Sequence, residues 1–282
     1  MINIDRLSFS YGKLPVLSNI SMDLQEGRIY GLLGGNGVGK TTLLTLLAGL
    51  KKPLGGEILV DGLHPYDRLP SCLEQQYFLP DSLDALPMKA KSFAGNFGKF
   101  WNNFSMDVFL EAMRDFDVDA ELRMDRMSFG QLKKCYVSFA FACGCKYLFM
   151  DEPTNGLDIP SKAQFRKALM KYTSEESTVV ISTHQVRDLE NVIDPIIILD
   201  GRDVLVNASL AEISSKFFFD YSNIVLPHSL YSEMIPGGCI QVMLNADGAE
   251  SKVNIEAFFN AVISNKELVK SLLGQDANDI KE

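Results

Sequence analysis

The sequence predicts an α/β fold built on a mainly parallel sheet. An antiparallel β subdomain precedes the sheet, a helical insert interrupts it and a small α+β appendage follows. Three observations carry that expectation. An apolar run, Ile29-Tyr30-Gly31-Leu32-Leu33, leads through a glycine-rich turn into a leucine-rich helical run holding Leu43, Leu44, Leu46 and Leu47. Two more short apolar runs, 147–150 and 178–182, flank a helical stretch near 161–172, the alternation that demands parallel strands. Before residue 27, Leu7, Phe9 and Tyr11 alternate, as do Ile20, Met22 and Leu24, which is the period of half-buried antiparallel strands.

The remaining elements follow in order. Residues 55–62 read as a strand bounded by glycine turns. From about 82 to 127 the pattern changes to helical spacing rich in aromatics, among them Phe93, Phe97, Phe100, Trp101, Phe104 and Phe109. This stretch is expected to be a small helical subdomain whose aromatic row supplies its own core. Residues 196–199 and 204–206 flank Asp200-Gly201, a hairpin turn. Composition shifts after about Phe219, where a strand-like 239–244 precedes an amphipathic run with Ile255, Phe258, Phe259, Val262 and Ile263. The division expected is 1–215 for the main domain and 216–282 for the appendage, with the polar end from Gly274 frayed.

At 282 residues the chain can bury a sizeable core. Apolar residues make up 46% and charged residues 22%, ordinary globular usage, and the net charge of −9 argues against broad attraction to nucleic acid. Five cysteines follow no metal-ligand spacing, and Cys143-Gly144-Cys145 reads as small buried residues at a helix end. The amino terminus alternates like a strand and lacks the apolar core of a signal peptide. The most apolar window, 135–150, is broken by Lys146 and too short to span a bilayer.

The turn after Leu33 is Gly34-Gly35-Asn36-Gly37-Val38-Gly39-Lys40-Thr41, with Thr42 next. Between strand and helix this is a phosphate-binding loop, so the core is of the P-loop NTPase kind. Its inward backbone N–H groups and the helix amino terminus attract phosphate. Lys40 would reach the β- and γ-phosphates of a nucleoside triphosphate, and the Thr41 hydroxyl would ligate Mg²⁺. A plain tight turn explains the glycines but not Lys40 and Thr41 together.

The apolar run 147–150 ends in Asp151-Glu152. Acids at a strand's carboxyl end beside a phosphate loop divide the work: Asp151 holds Mg²⁺ and Glu152 polarises the attacking water. His184 ends the next strand on the same ligand-binding edge, where it is expected to contact the γ-phosphate. Ser128 and Gln131 form a capping box at a helix start, which also presents free N–H groups to an anion.

Taken together, these motifs resemble the ATP-binding subunits of ABC transporters over about residues 1–215. They include the phosphate loop, Asp151-Glu152-Pro153-Thr154, the loop through Asp158, and His184, in that order. The resemblance implies ATP and Mg²⁺ as ligands and adds further roles. Tyr11, in Ser10-Tyr11-Gly12, matches the aromatic residue that stacks on adenine. Gln75, with Gln76 beside it, matches the glutamine that senses Mg²⁺ and couples to the membrane subunit. Ser128, Gly130 and Gln131 lie at the signature position, where Phe129 replaces the family's first glycine. The resemblance also implies a dimer, a homodimer in the simplest case, closing around two ATP molecules beneath separate transmembrane permease subunits, peripheral on the cytoplasmic membrane face. The tail and the Phe-Leu-Pro sequence after Gln75 look most like the ABC-2 export type. The helical insert, with Gln75 at its entrance, is the expected docking surface.

Two other readings compete. A soluble ABC-type ATPase acting on nucleic acid or ribosomes would call for tandem cassettes, a coiled-coil insertion or a basic surface, and the sequence has none of these. A non-catalytic nucleotide binder would lack the water-polarising acid, yet Glu152 is present.

Overall fold

The computed structural model describes residues 1–273; the expected frayed end from Gly274 lies outside the described residues. Three strands, β1 (Ile2–Tyr11), β2 (Leu14–Leu24) and β4 (Gly55–Val60), make an antiparallel sheet in the order β2-β1-β4. Between them in sequence come β3 (Ile29–Leu33) and α1 (Lys40–Leu47). A short helix, α2 (Pro70–Leu73), leads to β5 (Gln76–Leu79). The insert holds α3 (Ala90–Phe97) and α4 (Met106–Asp115), and the chain continues through α5 (Phe129–Ala142), β6 (Tyr147–Asp151), α6 (Ile159–Tyr172) and β7 (Thr178–Thr183). The hairpin β8 (Ile196–Asp200) and β9 (Asp203–Ala208) completes a six-stranded sheet in the order β5-β6-β7-β3-β8-β9. All neighbours in it pair in parallel except β8 and β9. Gly201 and Arg202 both take positive φ in the two-residue turn between those strands, the geometry that matches strand twist in a tight hairpin.

The central strands are buried on both faces, and their side chains alternate between two cores. Tyr147, Phe149, Val180, Ile197 and Leu199 meet Leu43, Leu44 and Leu47 of α1 and the inner face of the antiparallel sheet. Leu148, Met150, Val179, Ile181, Ile196 and Ile198 face the opposite core with α5 and α6. Helix α1 is buried nearly all round because it lies between the two sheets, with only Thr41 exposed. That burial fixes the carboxyl edge of the parallel sheet against the start of α1.

The aromatic row of the insert is largely interior. Phe109 and Phe116 are buried, and Phe93, Trp101 and Phe104 gather around Phe139 of α5 at ring separations of 4.8–5.6 Å. Phe97 and Phe100 stay exposed, at 38% and 63%. All five cysteines are free and buried.

Beyond β9, α7 (Leu210–Lys216) leads into a second antiparallel sheet, β10 (Phe217–Ser222), β11 (Tyr231–Ile235) and β12 (Gly238–Leu244), in the order β10-β12-β11. Helices α8 (Ile255–Ser264) and α9 (Lys266–Leu273) follow. Phe217, Phe258 and Val269 join the core that also holds Ile196 and Ile198. Ion pairs Lys266–Asp200 and Lys270–Asp203 tie α9 to the β8–β9 hairpin.

Candidate active site

Parallel strands end together, and the residues just past those ends form the site. Leu33 ends β3, and the chain turns through the phosphate loop with positive φ at Gly34, Gly37 and Gly39. A Cβ at Gly35 or Gly37 would meet nothing within 4 Å, so the loop backbone borders open space at these two positions. Lys40 Nζ donates to the carbonyl oxygens of Gly34 at 2.8 Å and Gly35 at 3.1 Å. Burial pulls the Lys40 ammonium below its ordinary pKa, while the charges of Glu152 and Asp151 oppose that shift. A cation so placed gains by receiving phosphate oxygens in place of carbonyls.

Across from Lys40, Asp151 is buried at the last position of β6. Its Oδ2 accepts from Thr41 Oγ1 at 2.7 Å, and its Oδ1 accepts from Ser182 Oγ. A hydroxyl and a carboxylate brought together in this way are the hard oxygen donors that suit Mg²⁺, with phosphate and water supplying the rest. Glu152 comes next, at φ 47°. Its N–H donates to both the carbonyl and the hydroxyl of Ser182, each at 3.1 Å. Its carboxylate lies 2.8 Å from His184 Nδ1. His184 directly follows β7, so the register that aligns Asp151 with Ser182 also brings the imidazole beside Glu152. A cavity of about 610 Å³ opens here, lined by Gly34, Gly35, Asn36 and His184 and also by Glu256, Phe259 and Asn260 of α8. The carboxy-terminal unit therefore reaches the mouth of the site.

The structure thus brings together Lys40, Thr41, Asp151, Glu152 and His184, with Asn36 and Val38 in the loop itself. Tyr11 stands at the end of β1, half exposed, with its hydroxyl 3.3 Å from Thr42 Oγ1 and Lys51 Nζ 5.0 Å from its ring centre. Its ring therefore borders the first turn of α1. Ser128 and Gln131 satisfy each other in the capping box at 3.0 and 3.2 Å, and Gly130 packs near the carbonyl of Gly156. These three residues mark the amino end of α5 and take no part in the grouping around Lys40.

The expectation for Gln75 is corrected. Gln75 precedes β5, and its carbonyl accepts from Tyr147 N–H at the start of β6. Asp151 ends β6, four residues further on, and at roughly 3.3 Å per residue this separates the two by about 13 Å along the strands. The Gln75 side chain donates to the carbonyl of Ser71 instead. The adjacent Gln76 is buried, and its amide donates to the carbonyl of Ala48. Pairing of Leu79 with Met150 places Asp81 beside the level of Glu152. Asp81, Lys133 and Ser182 were missed in the sequence. The signal for Asp81 was available, since a polar residue just past an apolar strand is what singled out Asp151.

Fold and site define an ATP-binding α/β protein of the phosphate-loop class. Residues 17–155 match the family model described as ABC transporter. The uncharacterized ABC transporter ATP-binding protein YdbJ of Bacillus subtilis is 28% identical over 287 residues, covering 99% of this chain and 89% of that protein. The lantibiotic transport ATP-binding protein SrtF of Streptococcus pyogenes is 26% identical over 229 residues, 73% of this chain and 90% of that protein. The dimeric post-hydrolysis structure of the ATP-binding cassette MJ0796 with ADP and Pi superposes with a TM-score of 0.67 at 21% identity, over 74% of this chain and 99% of that one. Along its length the chain is thus similar to ATP-binding subunits of the ABC transporter family.

Proposed function

We propose that two copies of this chain close around two ATP molecules and drive an exporter through separate transmembrane subunits, from the cytoplasmic face of the membrane. The pairing of Glu152 with His184 beside the phosphate loop carries the hydrolytic part of this reading. Lys40 holds the β- and γ-phosphates, and the loop N–H groups take the rest of the phosphate charge. Thr41 and Asp151 would hold Mg²⁺, which would neutralise charge on the phosphates when bound. Glu152 accepts the proton of the attacking water, and His184 fixes the Glu152 carboxylate and borders the γ-phosphate. Tyr11 stacks on adenine.

Ser128, Gly130 and Gln131 sit apart from this chain's own phosphate loop. They are best used by a second copy, whose ATP they would face with the positive amino end of α5. Among the described residues no helix is long and apolar enough to cross a membrane, so the permease would be another chain. Phe97 and Phe100, the exposed members of the insert's aromatic row, are suited to touch it. Similarity to the Nod factor export ATP-binding protein I of Neorhizobium galegae, 25% identical over 207 residues, supports the export direction. We assign residues 1–215 to the ATPase domain, with the helical subdomain at 82–127, and 216–282 to the appendage.

The test is ATP turnover by the purified chain, with affinity capture from solubilised membranes. Mg²⁺-dependent turnover and recovery of a transmembrane protein are expected. Capture of RNA in its place would overturn the transport reading.

A further inference from the structure

Lys133 lies on α5, one helical turn beyond Phe129, and is completely buried. Its three N–H donors have three acceptors. Nζ lies 3.0 Å from the Asp81 carbonyl oxygen, 3.2 Å from Asp81 Oδ1 and 3.3 Å from the carbonyl oxygen of Glu152. Asp81 also accepts from Asn155 Nδ2 at 3.3 Å. The ammonium stands 5.6 Å from the centre of the Phe129 ring. That ring packs so tightly over Gly156 that a Cβ there would lie 2.4 Å from it.

A buried lysine is costly unless it is paired and fully hydrogen-bonded, and this one is both. What it grips matters more. Glu152 holds a left-handed backbone conformation that a residue with a side chain adopts only when its surroundings impose it. Ser182 holds the N–H of Glu152 from β7, and Lys133 holds its carbonyl from α5. The two clamps together set the direction of the Glu152 side chain toward His184.

We propose that Lys133, with Asp81 as its counter-ion, is a positioning residue for Glu152. It joins the amino-terminal turn of α5, which serves one ATP site of a dimer, to the catalytic carboxylate of the other. This inference rests on the hydrolytic role proposed for Glu152. Phe129 belongs to the same device: where a glycine would leave a gap, its ring fills the space between Lys133 and Gly156.

The experiment compares Lys133→Met, Asp81→Asn and the double variant with the wild-type chain. Methionine keeps the length and apolar stem of Lys133, and the Asp81 side chain left behind is 40% exposed and can rehydrate, so Lys133→Met is expected to fold. Its kcat should fall at least about tenfold with KM for ATP within about twofold, the pattern of lost positioning rather than lost binding. Hydrogen exchange of the amides in 152–158, measured without nucleotide, should speed up. The double variant should regain any melting temperature lost by Asp81→Asn but not the lost kcat. Recovery of kcat along with stability would make the pair merely structural and overturn the proposal. So would unchanged exchange over 152–158, or a kcat of Lys133→Met within twofold of wild type. A wild-type chain without turnover would defeat the hydrolytic reading, and exchange over 152–158 would then decide this inference by itself.

Discussion

Replacing Glu152 with glutamine separates binding from chemistry, because the structure assigns the two to different groups. The side chain is largely shielded and its Oε1 lies 2.8 Å from His184 Nδ1. Glutamine has the same shape and keeps an oxygen that can face the imidazole, so stability should change by less than about 1 kcal/mol. Catalysis is different, since an amide cannot accept the water's proton. General-base positioning is worth about 10²–10⁴ in rate, or about 2.7–5.4 kcal/mol of barrier. ATP affinity should move the other way. Glu152 faces Lys40 across a site that must receive a polyanion, and removing one carboxylate charge lowers the repulsion. The expected outcome is kcat down by about 10²–10⁴ with Kd for Mg-ATP unchanged or lower. Trapped ATP should also hold two copies together, read as a shift to dimer on gel filtration with Mg-ATP. A kcat within tenfold of wild type, or an affinity lost in proportion to kcat, would refute the role given to Glu152.

Three further outcomes can be checked directly. Lys40→Ala removes the ammonium now held by the Gly34 and Gly35 carbonyls and should weaken nucleotide binding itself, read by titration with a fluorescent ATP analogue. Tyr11→Ala should cost about 1–3 kcal/mol of ATP binding if the ring stacks on the base, whereas Tyr11→Phe loses only the 3.3 Å contact with Thr42 and should bind almost normally. Gly156→Ala strains a residue at φ 75° and drives a methyl into the Phe129 ring; the backbone part alone is about 1–2 kcal/mol, so melting should fall by at least about 2–4 °C in a calorimetric scan.

How much of this was legible in the sequence follows from the range of each signal. The phosphate loop, Asp151, Glu152 and His184 were readable because each sits immediately past a short apolar run, and parallel strands deliver such residues to one edge whatever the distant packing does. The capping box of Ser128 and Gln131 was readable because it is a four-residue device that closes on itself. Gln75 failed for the converse reason. It rests on resemblance to the family's glutamine and lies ahead of a strand, whereas the position that faces the site lies after the strand, and there the chain has Asp81. Register between β5 and β6 decides this, and two strands separated by almost seventy residues do not state their register locally.

The same limit explains why Phe129 looked like an isolated departure. Read from α5 alone, a phenylalanine at its start only blocks close approach of an anion to the backbone. In the fold its ring rests on Gly156, a residue with no side chain to collide with, and lies beneath the ammonium of Lys133 four positions along the helix. Lys133 in turn requires an anion, and Asp81 stands where the corrected register puts it. One large residue, one absent side chain, one buried cation and one carboxylate are thus mutually dependent although they come from three separate stretches of sequence. Taken one at a time the four look unremarkable or unfavourable, and only together do they hold the carbonyl of Glu152.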